Sequence, residues 1–296
     1  MAKGGDNPTT GRARSGDVGL FYRRFGSPGA TPVLIQHGLS FFSYDWIEAA
    51  DALASDREVV AMDMRGFGDS DFSPRGDYSL AAFAGDTIAL ADHLAWREMV
   101  LIGHSMGGRN AAYCAAENAD RMKALVLVDY SPQNAPAGSK RVRTQVAGTP
   151  DTFESVDAAM RYFSNDPDER PRRARFEAYL RMVDGGYAIK RDPYFRDQFR
   201  RILETGEHPK LGVDMWQVLE RLRCPTLVIR GARSDMFAAE NVAKMRAANA
   251  RIQVVEVDSG HNVAVENRAG FLSAVIPFLK QVEAGHKQDV FSSPPR

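Results

Sequence analysis

The chain has 296 residues, of which 44% are apolar and 26% charged, and its 38 basic side chains balance 38 acidic ones. A chain of this length and composition can bury a substantial core and fits one large α/β domain with an insertion. The zero net charge indicates no nucleic-acid partner, no apolar run is long enough for a membrane span, and the polar first residues lack the apolar core of a secretion signal.

Strands and helices alternate along most of the chain, as in an α/β protein. In chain order the predicted elements are strands at 18–26 and 32–36, a helix at 44–54, a strand at 57–63, a helix at 79–95, a strand at 98–103, a helix at 106–118, strands at 122–129 and 224–231, a helix at 239–249, a strand at 251–258 and a helix at 267–284. Runs such as LVLV and TLVI lack polar alternation, which is typical of parallel strands covered by helices on both faces.

The alternation stops between residues 134 and 215, where three helix-like pieces rich in arginine and aromatic residues occur. We predict that 134–215 forms a helical cap on a core made of residues 17–133 and 216–283, with a flexible leader at 1–16 and a flexible tail at 284–296. The cap arginines fit a solvated helical face. The alternative is that one or two of them contact an anionic group of a substrate.

Polar or glycine-rich residues follow nearly every predicted strand, at the edge where open α/β sheets bind ligands. The most informative group is GHSMGG, which places Ser105 between glycines after the strand at 98–103 and before a helix. Such a tight turn exposes a serine hydroxyl above the sheet, so we predict that Ser105 is a nucleophile. A phosphate-binding loop is the other explanation of such a turn, but the lysine that such loops require is missing.

G-x-S-x-G between a strand and a helix, with HG after the strand at 32–36, the loop MRGFGDSD and GH after the last strand, resembles the α/β-hydrolase fold family over about residues 17–283. The resemblance implies a mostly parallel eight-stranded sheet flanked by helices, with a helical cap insertion. It also implies that Ser105 is the nucleophile and that His261, in DSGHNV, is the base. The serine at 105 excludes the haloalkane dehalogenase and epoxide hydrolase branches, which carry an aspartate there.

The acid that orients His261 has two candidates. Asp235 follows the strand at 224–231, where most of the family carries its acid, but Gly231 is followed by ARSD, so a serine occupies the expected place. Asp129 ends the neighbouring strand in the motif DYSP, which resembles the branch of the family that hydrolyses 2-(acetamidomethylene)succinate. We favour Asp129 and keep Asp235 as the alternative, because adjacent strand ends can both reach one histidine.

The resemblance also implies an oxyanion hole formed by the backbone amides of Leu39 and Met106. We interpret Arg109 as a buried structural arginine rather than a substrate anchor, and His37 and His104 as structural or pocket-lining. The residues predicted to line a substrate pocket, with core packing as the alternative for each aromatic one, are Phe41, Phe42, Tyr44, Trp46 and His104. No side chains have the spacing of a metal site, and no cofactor is implied.

These observations favour a cofactor-independent serine hydrolase that cleaves an ester, lactone or amide-like bond of a small molecule. The same triad also serves C–C bond hydrolysis and perhydrolysis, and some members of this fold are small-molecule receptors with slow turnover. Cys114 and Cys224 form no disulfide framework, which favours a cytoplasmic location. The oligomeric state has no signature in the sequence.

Overall fold

The computed structural model describes residues 8–163, 170–209 and 211–291. Its strands are β1 (Thr9–Ser15), β2 (Val18–Phe25), β3 (Ala30–Gln36), β4 (Arg57–Met62), β5 (Met99–His104), β6 (Met122–Val128), β7 (Leu180–Val183), β8 (Gly186–Ile189), β9 (Thr226–Gly231) and β10 (Ile252–Val257). Its α-helices are α1 (Ile47–Leu53), α2 (Leu80–His93), α3 (Met106–Glu117), α4 (Pro136–Ala147), α5 (Val156–Phe163), α6 (Arg170–Tyr179), α7 (Pro193–Thr205), α8 (Met215–Glu220), α9 (Glu240–Ala248), α10 (Val263–Glu266) and α11 (Arg268–Phe291). Short 3-10 helices span Ser43–Trp46 and Ala119–Arg121.

One eight-stranded sheet organises the molecule, with strand order β1-β2-β4-β3-β5-β6-β9-β10. Only β2 runs antiparallel to its neighbours, and the other pairs are parallel. Helices α2, α3, α8 and α9 pack on one face of the sheet, and α1 and α11 pack on the other. The predicted fold class is therefore confirmed.

Side chains of the central strands alternate between two separate cores. In β3, Leu34 packs into the core on one face, whereas Val33 and Ile35 pack into the core on the opposite face. Because both faces are covered, all six residues of β4, β5 and β9 are buried. This double coverage explains why apolar runs without polar alternation form these strands.

Two predicted boundaries differ from the structure. Residues 9–15, predicted to belong to a flexible leader, form β1, which pairs with β2 from Thr9↔Arg24 to Ser15↔Val18. The strand carries no apolar run because it lies at the edge of the sheet and buries mainly Ala13 and Ser15. Helix α11 continues to Phe291, into the range 284–296 that was predicted to be a tail, whose flexibility stays a prediction, while 1–7 and 292–296 lie outside the described residues.

Residues 134–215, which we call the cap segment, contain α4 to α7 and the antiparallel hairpin β7–β8. The sequence predicted no strand here, because each strand of the hairpin has only four residues. The segment has a small core of its own, formed by Phe153, Val156, Ala159, Met160, Phe176 and Leu180. Its status as a separate cap domain stays a prediction. Across the described ranges, no helix combines the length and apolar character that crossing a membrane requires.

Candidate active site

Ser105 lies in the turn between β5 and α3, with a backbone φ of 53° in the left-handed region. The turn requires glycine on both sides. A Cβ at Gly103 would lie 2.4 Å from the carbonyl oxygen of Gly107, and a Cβ at Gly107 would lie 2.4 Å from that of His37. The Ser105 amide donates to the Val128 carbonyl over 3.0 Å, which fixes the turn against β6. This geometry places the serine at the wall of a large cavity.

His261 follows β10 and contacts the serine directly: its Nε2 lies 2.9 Å from the Oγ of Ser105. Behind it, the Nε2 of His104 donates to the His261 carbonyl oxygen over 3.0 Å. Burial lowers the pKa of His104 to about 3, so this imidazole is neutral at physiological pH. His104 therefore holds the loop that carries His261, a contact that sequence reasoning did not identify.

His37 is a second buried histidine with a structural environment. Its Nδ1 donates a hydrogen bond of 2.8 Å to the Gly38 carbonyl, and its Nε2 accepts a hydrogen bond of 3.0 Å from the Met64 amide. Burial lowers the pKa of His37 to about 4, which keeps the ring in the neutral form that these two hydrogen bonds require. The ring ties the HG turn after β3 to the glycine-rich loop after β4.

Asp129 is the carboxylate that contacts His261, with its Oδ2 lying 2.6 Å from Nδ1. Its other oxygen accepts the amide of Gly231 over 2.8 Å. The Oγ of Ser234 donates to Oδ2 over 2.5 Å. Ser234 was not singled out as a functional residue, although it stands where most of the family would carry the acid, and that position was the signal that could have identified it.

Asp235, the alternative acid, makes no hydrogen bond to His261 in the described part of the chain and forms a two-bond ion pair with Arg141 of α4, at 2.7 and 2.8 Å. The hydrogen bond from Arg141 lowers the pKa of the Asp235 carboxyl. Its carbonyl oxygen accepts the amide of Gly138 over 3.0 Å. Asp235 thus joins the loop after β9 to the cap segment.

The cavity beside Ser105 has a volume of about 700 Å³ and is lined by both the sheet edge and the cap segment. Ser105, His261, Leu39, Met106 and Phe41 all contribute to its wall, and of these Phe41 was predicted to line a pocket. Four other residues predicted to line a pocket are not among its lining residues.

Phe42, Tyr44 and Trp46 lie in or directly before the 3-10 helix Ser43–Trp46, which directs their side chains away from the cavity. Phe42 and Trp46 are 3% exposed and pack into opposite cores. Tyr44 lies under the guanidinium of Arg23. His104 is buried behind His261, as described above.

Two contacts between the core and the cap segment lie on the cavity wall and were missed by sequence analysis. Arg175 of α6 forms an ion pair with Asp45 at 2.5 Å, and the Tyr179 hydroxyl donates to the same carboxylate. Burial raises the pKa of Asp45, and the charge of Arg175 opposes that shift. On another wall, the hydroxyl of Tyr78 donates to Asp192 at the start of α7.

No cluster of three or more His, Cys, Asp or Glu side chains suited to a metal ion occurs within 8–163, 170–209 and 211–291. The two cysteines, Cys114 and Cys224, are free thiols. Burial raises the pKa of Cys114 to about 12 and that of Cys224 to about 11, so neither is a thiolate at neutral pH.

Comparison with known proteins adds a second line of observation. A sequence profile described as the alpha/beta hydrolase fold matches residues 31–268, a range that includes Ser105, Asp129 and His261. The 3-hydroxybutyrate-oligomer hydrolase of Cupriavidus necator is 29% identical over 257 residues, covering 82% of this chain and 86% of that enzyme. The N-formylmaleamate deformylase of Pseudomonas putida is 28% identical over 270 residues, covering 91% and 96%. The crystal structure of E-2-(acetamidomethylene)succinate hydrolase is similar with a TM-score of 0.80 at 26% identity, over 92% of this chain and 99% of that one.

Proposed function

Since the chain belongs to the alpha/beta hydrolase fold family and acts as a hydrolase on small molecules, we propose that it cleaves an ester, lactone or amide-like bond through an acyl-enzyme on Ser105. The observation that carries the proposal is the unbroken series of contacts from Asp129 to His261 to Ser105, at 2.6 and 2.9 Å. Because an ionised carboxylate only accepts hydrogen bonds, Nδ1 of His261 carries the proton and Nε2 is free to accept one from the serine.

In the proposed reaction the Oγ of Ser105 attacks the substrate carbonyl while its proton passes to Nε2 of His261. The carboxylate of Asp129 stabilises the imidazolium that forms. Collapse of the tetrahedral intermediate breaks the bond to the leaving group, which takes the proton from Nε2. Water then attacks the acyl carbon, gives its proton to Nε2, and the released Ser105 recovers that proton.

The proposed oxyanion hole consists of the backbone amides of Leu39 and Met106, whose residues border the cavity beside Ser105. Met106 is the first residue of α3, and amides of the first helical turn have no acceptor within their own helix. The partial positive charge at a helix N-terminus favours an oxyanion at this point. Donors of this kind typically contribute about 3–4 kcal/mol to the transition state.

A cavity of about 700 Å³ lies within the range of sites that enclose small organic molecules. N-formylmaleamate deformylase and 2-(acetamidomethylene)succinate hydrolase, both similar to this chain, are named for anionic substrates. We therefore extend the proposal to a substrate that carries a negative charge. We also propose a cytoplasmic location, which the two free thiols support.

A fluorophosphonate probe with an intact-mass readout tests the nucleophile. The parent protein is expected to gain the mass of one probe less HF, because the serine oxygen displaces fluoride, and Ser105→Ala is expected to gain none. Ser40 also lines the cavity but lies outside the contacts to His261, so Ser40→Ala is the matched control and should still be labelled. Labelling of Ser105→Ala to the parent extent would refute the serine mechanism.

A panel of p-nitrophenyl esters, lactones and N-formyl amides then identifies the bond that is cleaved. Turnover of at least one class should disappear in Ser105→Ala while the circular dichroism spectrum is unchanged. A labelled parent protein that turns over none of them would contradict the proposed bond types.

A further inference from the structure

Arg109 is a cavity-lining cation without a carboxylate partner. It lies one helical turn after Ser105 on α3, where its amide donates to the Ser105 carbonyl over 3.0 Å. Within the described ranges its guanidinium donates only to the side-chain oxygen of Asn110, from Nε at 3.2 Å and Nη2 at 3.1 Å. Among the described residues no carboxylate pairs with it, and its Nη1 has no hydrogen-bond partner. A charged side chain on a cavity wall, partly removed from water, normally has a group of opposite charge beside it.

The two cap-segment arginines that line the same cavity already have partners. Arg141 is bound to Asp235 by two hydrogen bonds, and Arg175 is paired with Asp45. Their charges are therefore largely neutralised within the protein. In the described part of the cavity wall, no cap arginine is therefore left unpaired to contact an anionic group of a substrate. Arg109, which the sequence analysis interpreted as structural, has the properties expected of an anchor.

Tyr130 supplies a second polar group without a partner. It lines the same cavity, is 6% exposed, and its buried hydroxyl makes no hydrogen bond to any described residue. Burial raises the pKa of this phenol, and the nearby charge of Arg109 opposes the shift. The cavity that Ser105 lines thus holds two donors with unused hydrogen-bonding capacity, and leaving the buried Tyr130 hydroxyl unsatisfied is costly.

We propose that Arg109 and Tyr130 bind a carboxylate of the substrate, so that the substrate class is esters or amides of short dicarboxylic acids. This inference rests on the proposed function, because it assigns a second group of the same substrate. The planar guanidinium fits a carboxylate, and one cation with one hydroxyl matches a single negative charge better than the double charge of a phosphate.

The position of Arg109 limits the length of the substrate. One helical turn separates its backbone from Ser105, a rise of about 5.4 Å. Because Arg109 and Ser105 line the same cavity from neighbouring turns of the chain, we expect the carboxylate to lie a few bonds from the carbonyl that Ser105 attacks, as in a derivative of a four- or five-carbon diacid.

Monomethyl succinate and methyl butanoate form a matched pair of esters, because they differ mainly in a carboxylate that replaces a methyl group. The parent is expected to have a higher kcat/KM for monomethyl succinate than for methyl butanoate, and the ratio should decrease at high salt because salt screens the charge interaction. In Arg109→Met the ratio of the two kcat/KM values should fall about 10- to 100-fold, and in Tyr130→Phe about 3- to 10-fold. Arg109→Lys should recover part of the ratio.

Arg97 is an exposed arginine outside the cavity, so Arg97→Met is the control and should leave the ratio unchanged.

A binding measurement separates this inference from the hydrolase proposal, since it needs no turnover. Calorimetry should show that Ser105→Ala binds monomethyl succinate at least tenfold more tightly than Ser105→Ala/Arg109→Met does. Equal dissociation constants would overturn the inference even if Ser105 is the nucleophile. An equal loss of activity on both esters in Arg109→Met would assign Arg109 a structural role and also overturn it. If Arg109→Met does not fold, the Arg109→Lys and Tyr130→Phe ratios decide, and unchanged ratios in both reject the carboxylate site.

Discussion

The Oγ of Ser234 donates a hydrogen bond to the Oδ2 of Asp129 over 2.5 Å, and the same oxygen contacts Nδ1 of His261 at 2.6 Å. The loop after β9 therefore contributes a hydroxyl where most of the family contributes the acid, while β6 contributes the carboxylate. With the Gly231 amide on its other oxygen, Asp129 accepts hydrogen bonds from two protein donors besides the imidazole. This arrangement fixes the carboxylate in one orientation.

The first prediction concerns which carboxylate orients the histidine. Asp129→Asn should reduce kcat by about 10⁴-fold, because the amide cannot stabilise the imidazolium and favours the wrong tautomer. Asp235→Asn should reduce kcat by less than about fivefold, since this residue pairs with Arg141 near the surface and exposed pairs contribute little. Steady-state kinetics on one ester measures both. A larger loss in Asp235→Asn would reverse the assignment.

The second prediction follows from the neutrality of His104. Burial lowers its pKa from an ordinary 6.5 to about 3, so between these values the unfolded chain binds a proton that the folded chain does not. Stability is therefore complete above pH 6.5 and is lost as the pH falls, by about 1.4 kcal/mol per pH unit for this one group. The titrating side chains that influence it, His261 and His37, are retained in the variant.

His104→Gln removes that titration and leaves a side chain able to donate a hydrogen bond. Urea unfolding at several pH values between about 4 and 6 should show a pH dependence shallower than that of the parent by about one proton. Identical slopes in the parent and the variant would mean that His104 titrates in the same way in the folded and unfolded chains.

The third prediction concerns the ion pair that joins the core to the cap segment. The Asp45 side chain is only 2% exposed, so Asp45→Asn leaves the charge of Arg175 without its partner. We expect a loss of about 3 kcal/mol in the free energy of unfolding, near the low end for buried pairs because Arg175 is partly exposed. Asp157→Asn breaks an exposed ion pair between α5 and Arg173 of α6 and should cost clearly less. Equal losses in the two variants would show that burial does not strengthen the pair at Asp45.

Local signatures explain what the sequence could predict. The glycines around Ser105 and the loop of His261 are short motifs, and their place after a strand could be read from hydrophobic patterns. The contact of Asp129 with the histidine was favoured for a similar reason, since the spacing of ARSD differs from the usual one. In each case the information lies within a few neighbouring residues.

Contacts between distant parts of the chain could not be predicted in this way. Asp45 meets Arg175 and Tyr179 more than a hundred residues away, so neither partner marks the other in the sequence. The directions of Phe41 and Phe42 depend on the 3-10 helix that begins at Ser43. Strand β1 was missed because an edge strand that buries few apolar side chains lacks the periodicity used to recognise strands.

The last prediction is that the acid can be moved from one strand to the next. Asp129→Asn should lose most of the activity. Adding Ser234→Asp should raise kcat at least tenfold above that of the Asp129→Asn variant. The new carboxylate would start from the place where the Ser234 oxygen now lies, 2.5 Å from the Asp129 oxygen that contacts His261. A charge there can stabilise the imidazolium, and most of the family carries its acid at this position. Ser234→Asn in the same background is the matched control, because it has the same shape without the charge and should restore nothing. Comparison of kcat for the two double variants isolates the effect of the charge. If Ser234→Asp recovers no more activity than Ser234→Asn, the loop after β9 holds position 234 too far from Nδ1, and the acid must come from β6 in this protein.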